Sequence, residues 1–489
     1  MNNNKKIIAF AFIVSLLTIL ICSCNSPLYP FNIWVDENAF MTVGKSWLHG
    51  LVPYRDIFEQ KGPFLYFIFL IANLISQKTF IGVFILEVFS FTISLFWTFK
   101  IIQLYTKKKH SYYILPLFAA VICYSPFFSY GGSAEEFCLP FFIYGLYTLL
   151  KLLKEKTLTK NEYFINGLCA SFVFLIKFNL VGFWIGFFIS QLFISIKEKN
   201  TQDLIKKNMM LGLGFLIPLL TFSVYFYLNN SFKAFVNTYF LFNSNSYSHK
   251  MTFITRVIID FKLFYKNLTS KWIIMTLMYV GTILFLLENK YIKLWNEKIL
   301  LIFTYIMSFF GIYYGGFSYS YYFLFMMPYI IFGLIYLYDK VKFENNRILR
   351  FIFFILLSIF LISRSDNIPF MKIKKKNLVQ FKYAEIMKKN KAKTLLNYGF
   401  LDSGFYMSAD ILPSVRYFEL QNAPVDGMNE VLGQMIDNRK FDYIVVIQTN
   451  DDYDPTIREI HEKYNLVRKD RQKFDGMSIT YHLYKAKGL

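Results

Sequence analysis

The stretch Trp34–Pro63, WVDENAFMTVGKSWLHGLVPYRDIFEQKGP, decides how the rest of the chain is read. Apolar blocks flank it on both sides. Yet it holds an adjacent acid pair, Asp36 and Glu37, two further acids, Asp56 and Glu59, and Lys61 directly before Gly62-Pro63. A connector between membrane helices needs only a few polar residues. This one is long, rich in aromatics, and sets carboxylates beside a bilayer, where charge is costly unless it has a task.

Composition places those acids in a membrane context. Of 489 residues, 55% are hydrophobic and 20% aromatic, with 58 Phe and 36 Tyr, while only 17% are charged. Several apolar runs reach the roughly 20 residues needed to cross a bilayer. The formal charge of +21 lies mostly between those runs, where a positive-inside bias explains it and nucleic-acid binding does not. Cys22, Cys24, Cys123, Cys138 and Cys169 fall in or beside apolar segments with no histidines at ligand spacing. They read as small packing residues, and neither a disulfide framework nor a metal site is expected.

Outward from the organising stretch, the apolar pattern predicts an all-α polytopic bundle of about eleven spans. They begin with Ile7 to Cys22, whose leading Lys5-Lys6 places the following loop outside the cytoplasm. Phe64 to Ser76 is too short to span and reads as an interfacial or wedged helix. Lys107-Lys108-Lys109 marks an inner turn, and SYGGSAEEF, with Glu135 and Glu136, an outer one. Next comes a helical pair, Glu162 to Lys177 and Leu180 to Ile196, with Lys177 at its outer tip. A polar-aromatic loop is expected from Asn229 to about Ser270, and GGFSYSYY reads as a further outer loop. The predicted divisions are a membrane domain over 1–363, a basic membrane-proximal linker over 364–392, and a small α/β extracytoplasmic domain over 393–489. The last rests on the strand-like FDYIVVIQ, a helical pattern from Asn429 to Asn438, and YHLYKA. The ten basic residues between Arg364 and Lys393 oppose this outer placement, but the charge rule weakens for long tails.

The first loop resembles that of the GT-C glycosyltransferases, in the branch of protein O-mannosyltransferases and lipid A aminoarabinose transferases. The residues that carry the resemblance are Asp36-Glu37, Gly50-Leu51-Val52-Pro53-Tyr54 and Lys61-Gly62-Pro63, with Gly62 standing where a proline is usual. Weaker matches are Glu135-Glu136 in the second outer loop, Lys177 on its hairpin tip, and Tyr322 through Pro328, where Phe325 replaces a proline. The resemblance implies a multi-pass enzyme of a bacterial plasma membrane. Its donor would be a polyprenyl phosphate-linked sugar and its acceptor an envelope glycan, a lipid or a protein, with the active site and C-terminal domain extracytoplasmic.

Such chemistry needs a carboxylate to take a proton from the attacking hydroxyl and cations to stabilise a departing phosphate. Asp36 is the candidate base, with Glu37 supporting it; helix capping by the pair is the structural alternative. Glu135 or Glu136 supplies a second carboxylate. Lys61 and Lys177 are expected at the carrier phosphate, although snorkelling to headgroups is what most interfacial lysines do. Tyr322 and Tyr54 are expected at substrate, and no metal or other cofactor is predicted. A lipid-linked glycan transporter or flippase, and a glycan polymerase or ligase, are the competing functions.

Overall fold

The structure, a computed structural model, describes residues 3–106, 110–199, 202–247, 252–269, 271–314, 317, 319–340, 347–449, 455–474 and 477–488. The Lys107–Lys109 turn, and Gly315, Gly316 and Ser318 of the GGFSYSYY loop, lie outside the described residues. The chain divides into two compact units. The first comprises Met1–Ser23, Phe84–Val224 and His249–Ile368, the second Cys24–Val83, Tyr225–Ser248 and Pro369–Leu489.

The first unit is helical. Among the described residues, six helices are long and apolar enough to cross a bilayer: Asn4–Cys22, Ile81–Tyr105, Ala134–Glu155, Phe178–Lys197, Asp203–Leu228 and Ser320–Lys340. Counting the bent pair Ile254–Thr269 and Trp272–Leu287 as one span gives seven. Their apolar character runs around the whole circumference; Met209, Leu213, Leu216, Leu220 and Val224 all point outward, as lipid-facing side chains do. The chain is a multi-pass membrane protein. Helices close on one another through small residues: a Cβ placed on Gly281 would sit 2.5 Å from the Cα of Gly333. Elsewhere in the unit Phe142 packs on Phe325 at 4.4 Å and on Phe183 at 5.0 Å.

One expected loop is largely helix. Between Asn229 and Ser270 the chain forms Phe232–Phe235, a π-helical Val236–Tyr247 and an α-helix, Phe253–Thr269. In the last of these, Ile254, Val257, Ile258, Phe261 and Tyr265 recur at helical spacing. The interspersed Arg256, Lys262 and Lys266 gave that stretch its loop-like polarity.

The second unit joins the organising stretch to the C-terminal module. That module holds a four-stranded sheet, β1 (Leu395–Tyr398), β2 (Tyr443–Gln448), β3 (Tyr464–Phe474) and β4 (Met477–Ala486), in the order β1-β2-β4-β3. Strands β1 and β2 run parallel, with Leu396 opposite Ile444, and the other pairs are antiparallel. Every residue of β2 is buried, as a strand covered on both faces requires. Leu432, Ile436 and Ile460 pack with Ile444 and Val446 in the module's core. The stretch expected as a linker contains the helix Val379–Lys389, whose Tyr383 is buried and donates its hydroxyl to the Tyr481 carbonyl at 2.8 Å.

Polar contacts tie the first loop to this module. The Thr42 hydroxyl donates to Asp402 Oδ2 at 2.6 Å, and Lys45 Nζ lies 2.5 Å from Asp410. The Phe58 N–H donates to the Arg416 carbonyl, and Arg416 returns a bond to the Tyr54 carbonyl. Gly404, at φ +87°, lets the backbone approach. A Cβ there would lie 2.7 Å from the Phe31 ring and 2.8 Å from Asn38 Oδ1, so the position excludes side chains by sterics as well as by dihedral.

Asp402 carries a measurable consequence. Burial pushes its carboxyl up to about 6, against the Thr42 and Gly404 hydrogen bonds that lower it. The folded unit therefore holds a proton that the unfolded chain releases near pH 4. The stability it contributes is full below about pH 4 and is lost as pH rises through about 6. Asp402→Asn should remove this dependence. Relative to the variant, the wild type should lose on the order of 2–3 kcal/mol between pH 4 and pH 7, read from unfolding profiles in detergent across that range. Parallel profiles for the two proteins would refute the assignment.

Candidate functional site

The helix Val35–Leu48 opens without a side-chain cap at Trp34. Its entry is held instead by two asparagines: Asn32 Oδ1 accepts from the Trp34 N–H, and Asn38 Nδ2 donates to the Asn32 and Trp34 carbonyls. The acid pair is therefore not the cap. Asp36 and Glu37 sit in the first turn, where the helix dipole favours negative charge. Their exposures differ: Glu37 is fully buried, whereas Asp36 is partly exposed and lines a small cavity.

Glu59 and Lys61 line the same cavity. Glu59 Oε2 accepts from the Lys61 backbone N–H at 3.0 Å and from the Tyr66 hydroxyl, while Lys61 Nζ lies 3.9 Å from Glu59 Oε1. Burial raises the Glu59 carboxyl above the usual range; Lys61 works against that shift and Asp36 adds to it. Tyr54, expected at substrate, lies in the turn before Lys61. Held at φ +70° and fully buried, it donates its hydroxyl to the Lys61 carbonyl at 2.8 Å. Its ring packs on Phe226, Phe235 and Tyr66. It shapes the turn that presents Lys61.

The remaining carboxyl in this cavity comes from the C-terminal module. Glu419 lines it together with Gln421, accepting from the Asp402 N–H at 2.6 Å and from Gln421 Nε2 at 3.1 Å. Burial pushes it well above its ordinary value, and Glu59, Asp402 and Asp36 push it further. Sequence reasoning missed Glu419, whose surroundings, RYFELQ, carry no recognisable motif.

In the first unit, three of the expected residues meet. Ser133 caps the Ala134–Glu155 helix by accepting from the Glu136 N–H at 3.0 Å. Glu135 Oε1 lies 2.6 Å from Lys177 Nζ, which stands 3.1 Å from the centre of the Tyr322 ring. Glu136 turns elsewhere: its Oε2 accepts from the Gly132 N–H at 2.9 Å. Glu87, a further residue missed, takes the Ser23 hydroxyl on its two oxygens at 2.9 Å. A lone glutamate inside an apolar run was the available signal. Among the described residues, no group of three His, Cys, Asp or Glu side chains is placed to hold a metal ion.

No protein-family model and no curated protein matches this chain. Solved structures do. The fold is similar to the crystal structure of ArnT from Cupriavidus metallidurans bound to undecaprenyl phosphate, at 10% identity and a TM-score of 0.56, covering 97% of each chain. It is similar also to the apo state of ArnT from the same organism, at 9% identity and a TM-score of 0.57, again over 97% of each chain. The likeness covers nearly the whole chain, so the chain shares the fold of those structures.

The Lys177–Glu135 pair is testable by itself. Both side chains are nearly out of solvent, 11% and 1% exposed, so Lys177→Met strands a buried carboxylate and should destabilise by about 3–5 kcal/mol. Lys177→Met combined with Glu135→Gln should recover most of that loss. Thermal unfolding in detergent reads both, and additive losses would show that the pair is not coupled.

Proposed function

We propose that the protein is an integral membrane glycosyltransferase that moves a sugar from a polyprenyl phosphate carrier to an acceptor hydroxyl, with Asp36 as general base. One observation carries the reading: Asp36 opens on a cavity beside Lys61, while the cap of its helix is made by other residues. The fold supports it, since the neighbour of the same architecture is solved with undecaprenyl phosphate.

In this mechanism the acceptor hydroxyl approaches Asp36 and passes its proton to the carboxylate as the oxygen attacks the anomeric carbon. The bond from that carbon to the carrier phosphate oxygen breaks, its electron pair leaving with the polyprenyl phosphate. Attack opposite the leaving group inverts the anomeric centre. The phosphate already carries charge, so no strong acid is required; cations stabilise the added negative charge. Lys61, which lines the cavity of Asp36, takes that role. The reading retains eleven spans, with the first loop and the C-terminal module on the extracytoplasmic side of a bacterial plasma membrane. The acceptor is an envelope glycan, a lipid or a protein.

Purified protein incubated with a panel of radiolabelled polyprenyl phosphate sugars should consume at least one of them. Asp36→Asn, which keeps the side chain's shape, should then lower turnover by about 10²–10⁴-fold, while Glu37→Gln falls less. Near wild-type turnover in folded Asp36→Asn would defeat the base assignment.

Orientation is tested separately. Lys78, 79% exposed, and Lys199, also exposed, suit cysteine replacement against a background of buried native cysteines. In intact cells, Lys78→Cys should react with an impermeant thiol reagent and Lys199→Cys should not. The reverse pattern would place the first loop in the wrong compartment for this function.

A further inference from the structure

We infer that the outer edge of the C-terminal module, strand β3 with the lysine turn Lys372–Lys376, is a docking surface for the anionic phospholipid headgroups of the bilayer that holds the protein. This surface lies outside the machinery proposed for sugar transfer.

Two stretches of chain build the charge. In Pro369–Lys376, PFMKIKKK, the side chains of Lys372, Lys374, Lys375 and Lys376 are all exposed. Strand β3 adds Lys469 and Lys473, exposed as well. The stretches meet where the Val379 N–H donates to Gln472 Oε1 at 3.0 Å and Lys382 Nζ lies 3.6 Å from Asp470. Asp470, the acid at that junction, is already engaged by Arg468 at 2.6 Å. Among the described residues, none of the six exposed lysines makes an ion pair. Like charges gathered on one surface repel each other in the folded protein, and an anionic surface placed against them offsets that repulsion.

Apolar side chains decide which anion it is. Strand β3 is an edge strand, and a bulge between Leu466 and Arg468 sets Val467 outside the ladder. Leu466 and Val467 stand 53% and 44% exposed beside the basic residues. In the turn, Phe370, Met371 and Ile373 alternate with Lys372 and Lys374 in the same way. Cations next to apolar groups match a bilayer surface, which offers anionic headgroups above and acyl chains below. A soluble polyanion would satisfy the lysines and leave Leu466 and Val467 in water. The chain also delivers the turn to a bilayer. Lys372 stands ten residues after Ile362, the end of the apolar helix Arg347–Ile362, whose Leu356, Ile359 and Phe360 point outward. The basic charge of the Arg364–Lys393 segment, which opposes its expected placement under the charge rule, is then a lipid-binding feature and not a topology signal.

The test uses full-length protein in lipid nanodiscs, with bimane attached through Asn465→Cys, an exposed position beside Leu466, against buried native cysteines. The discs carry a phosphatidylcholine with a headgroup nitroxide, which quenches bimane on contact. Quenching should be strong in discs of phosphatidylcholine mixed with phosphatidylglycerol, weak in phosphatidylcholine alone, and relieved by salt. Lys374→Gln, Lys375→Gln and Lys376→Gln together should lower the ratio of docked to undocked protein by about 10-fold or more. Lys469→Gln with Lys473→Gln should act in the same direction, and Lys440→Gln, an exposed control, should leave the ratio unchanged. The substituted lysines are exposed and unpaired, so unfolding temperatures in detergent should not move. Val467→Asn should weaken docking while its salt dependence stays, because it removes apolar contact and no charge. Inorganic polyphosphate identifies the other source of anion. If it binds through the same lysines while quenching is equal in the two kinds of disc, the surface serves a soluble polyanion and the inference fails. Equal quenching in both discs without polyphosphate binding, or unchanged quenching in both lysine variants, would overturn it as well. None of these readouts depends on sugar transfer, so failure of the proposed activity leaves them intact.

Discussion

The second unit depends on how protein donors replace water around buried carboxyl groups. Glu59, Asp402 and Glu419 are each 5% exposed or less, and a carboxyl so placed persists only if hydrogen-bond donors are built around it. The chain supplies most of them from nearby positions and one, the Thr42 hydroxyl, from far away. Backbone N–H groups of Lys61, Asp402 and Gly404, hydroxyls of Thr42 and Tyr66, and the Gln421 amide each reach one of the three. Through Thr42 the first loop, more than three hundred residues distant, solvates an acid of the C-terminal module. This is why they form one unit although the sequence places a membrane domain between them.

The same constraint governs the first unit in a drier setting. Glu135 is neutralised by Lys177, with the Tyr322 ring on the ammonium, while Glu136 accepts the Gly132 N–H and Glu87 takes the Ser23 hydroxyl. Two adjacent glutamates at one helix start thus take different parts. Successive helical side chains point about 100° apart, so one meets the lysine and the other turns back to the loop. A cation held by a carboxylate in this way has its long side chain already ordered.

The C-terminal module is therefore more than a support. Its strand β2 is buried on both faces and gives it a core of its own. Its loop carries Asp402 to Thr42 and Glu419 to the cavity of Asp36. The tight approach at Gly404 lets that loop lie against Phe31 and Asn38.

Much was legible in the residues themselves. Apolar runs of spanning length declared a polytopic membrane protein, and the short Pro63–Ile75 helix, the Lys177 boundary, the Met428–Asp437 helix and strand β2 all lie where local pattern placed them. Asp36 and Lys61 stood out because charge beside an apolar block demands a reason, and both line one cavity. Tertiary structure decided what periodicity cannot encode. It separated Asp36 from the buried Glu37, and Glu135 from Glu136. It turned Tyr54 inward to shape a turn, and it brought Glu419 to the cavity. The physical reason is the same in each case. Hydrophobic periodicity is a local property summed over one helix or strand, whereas the state of a carboxyl depends on which donors and charges stand within a few ångströms of it, and those arrive from anywhere in the chain.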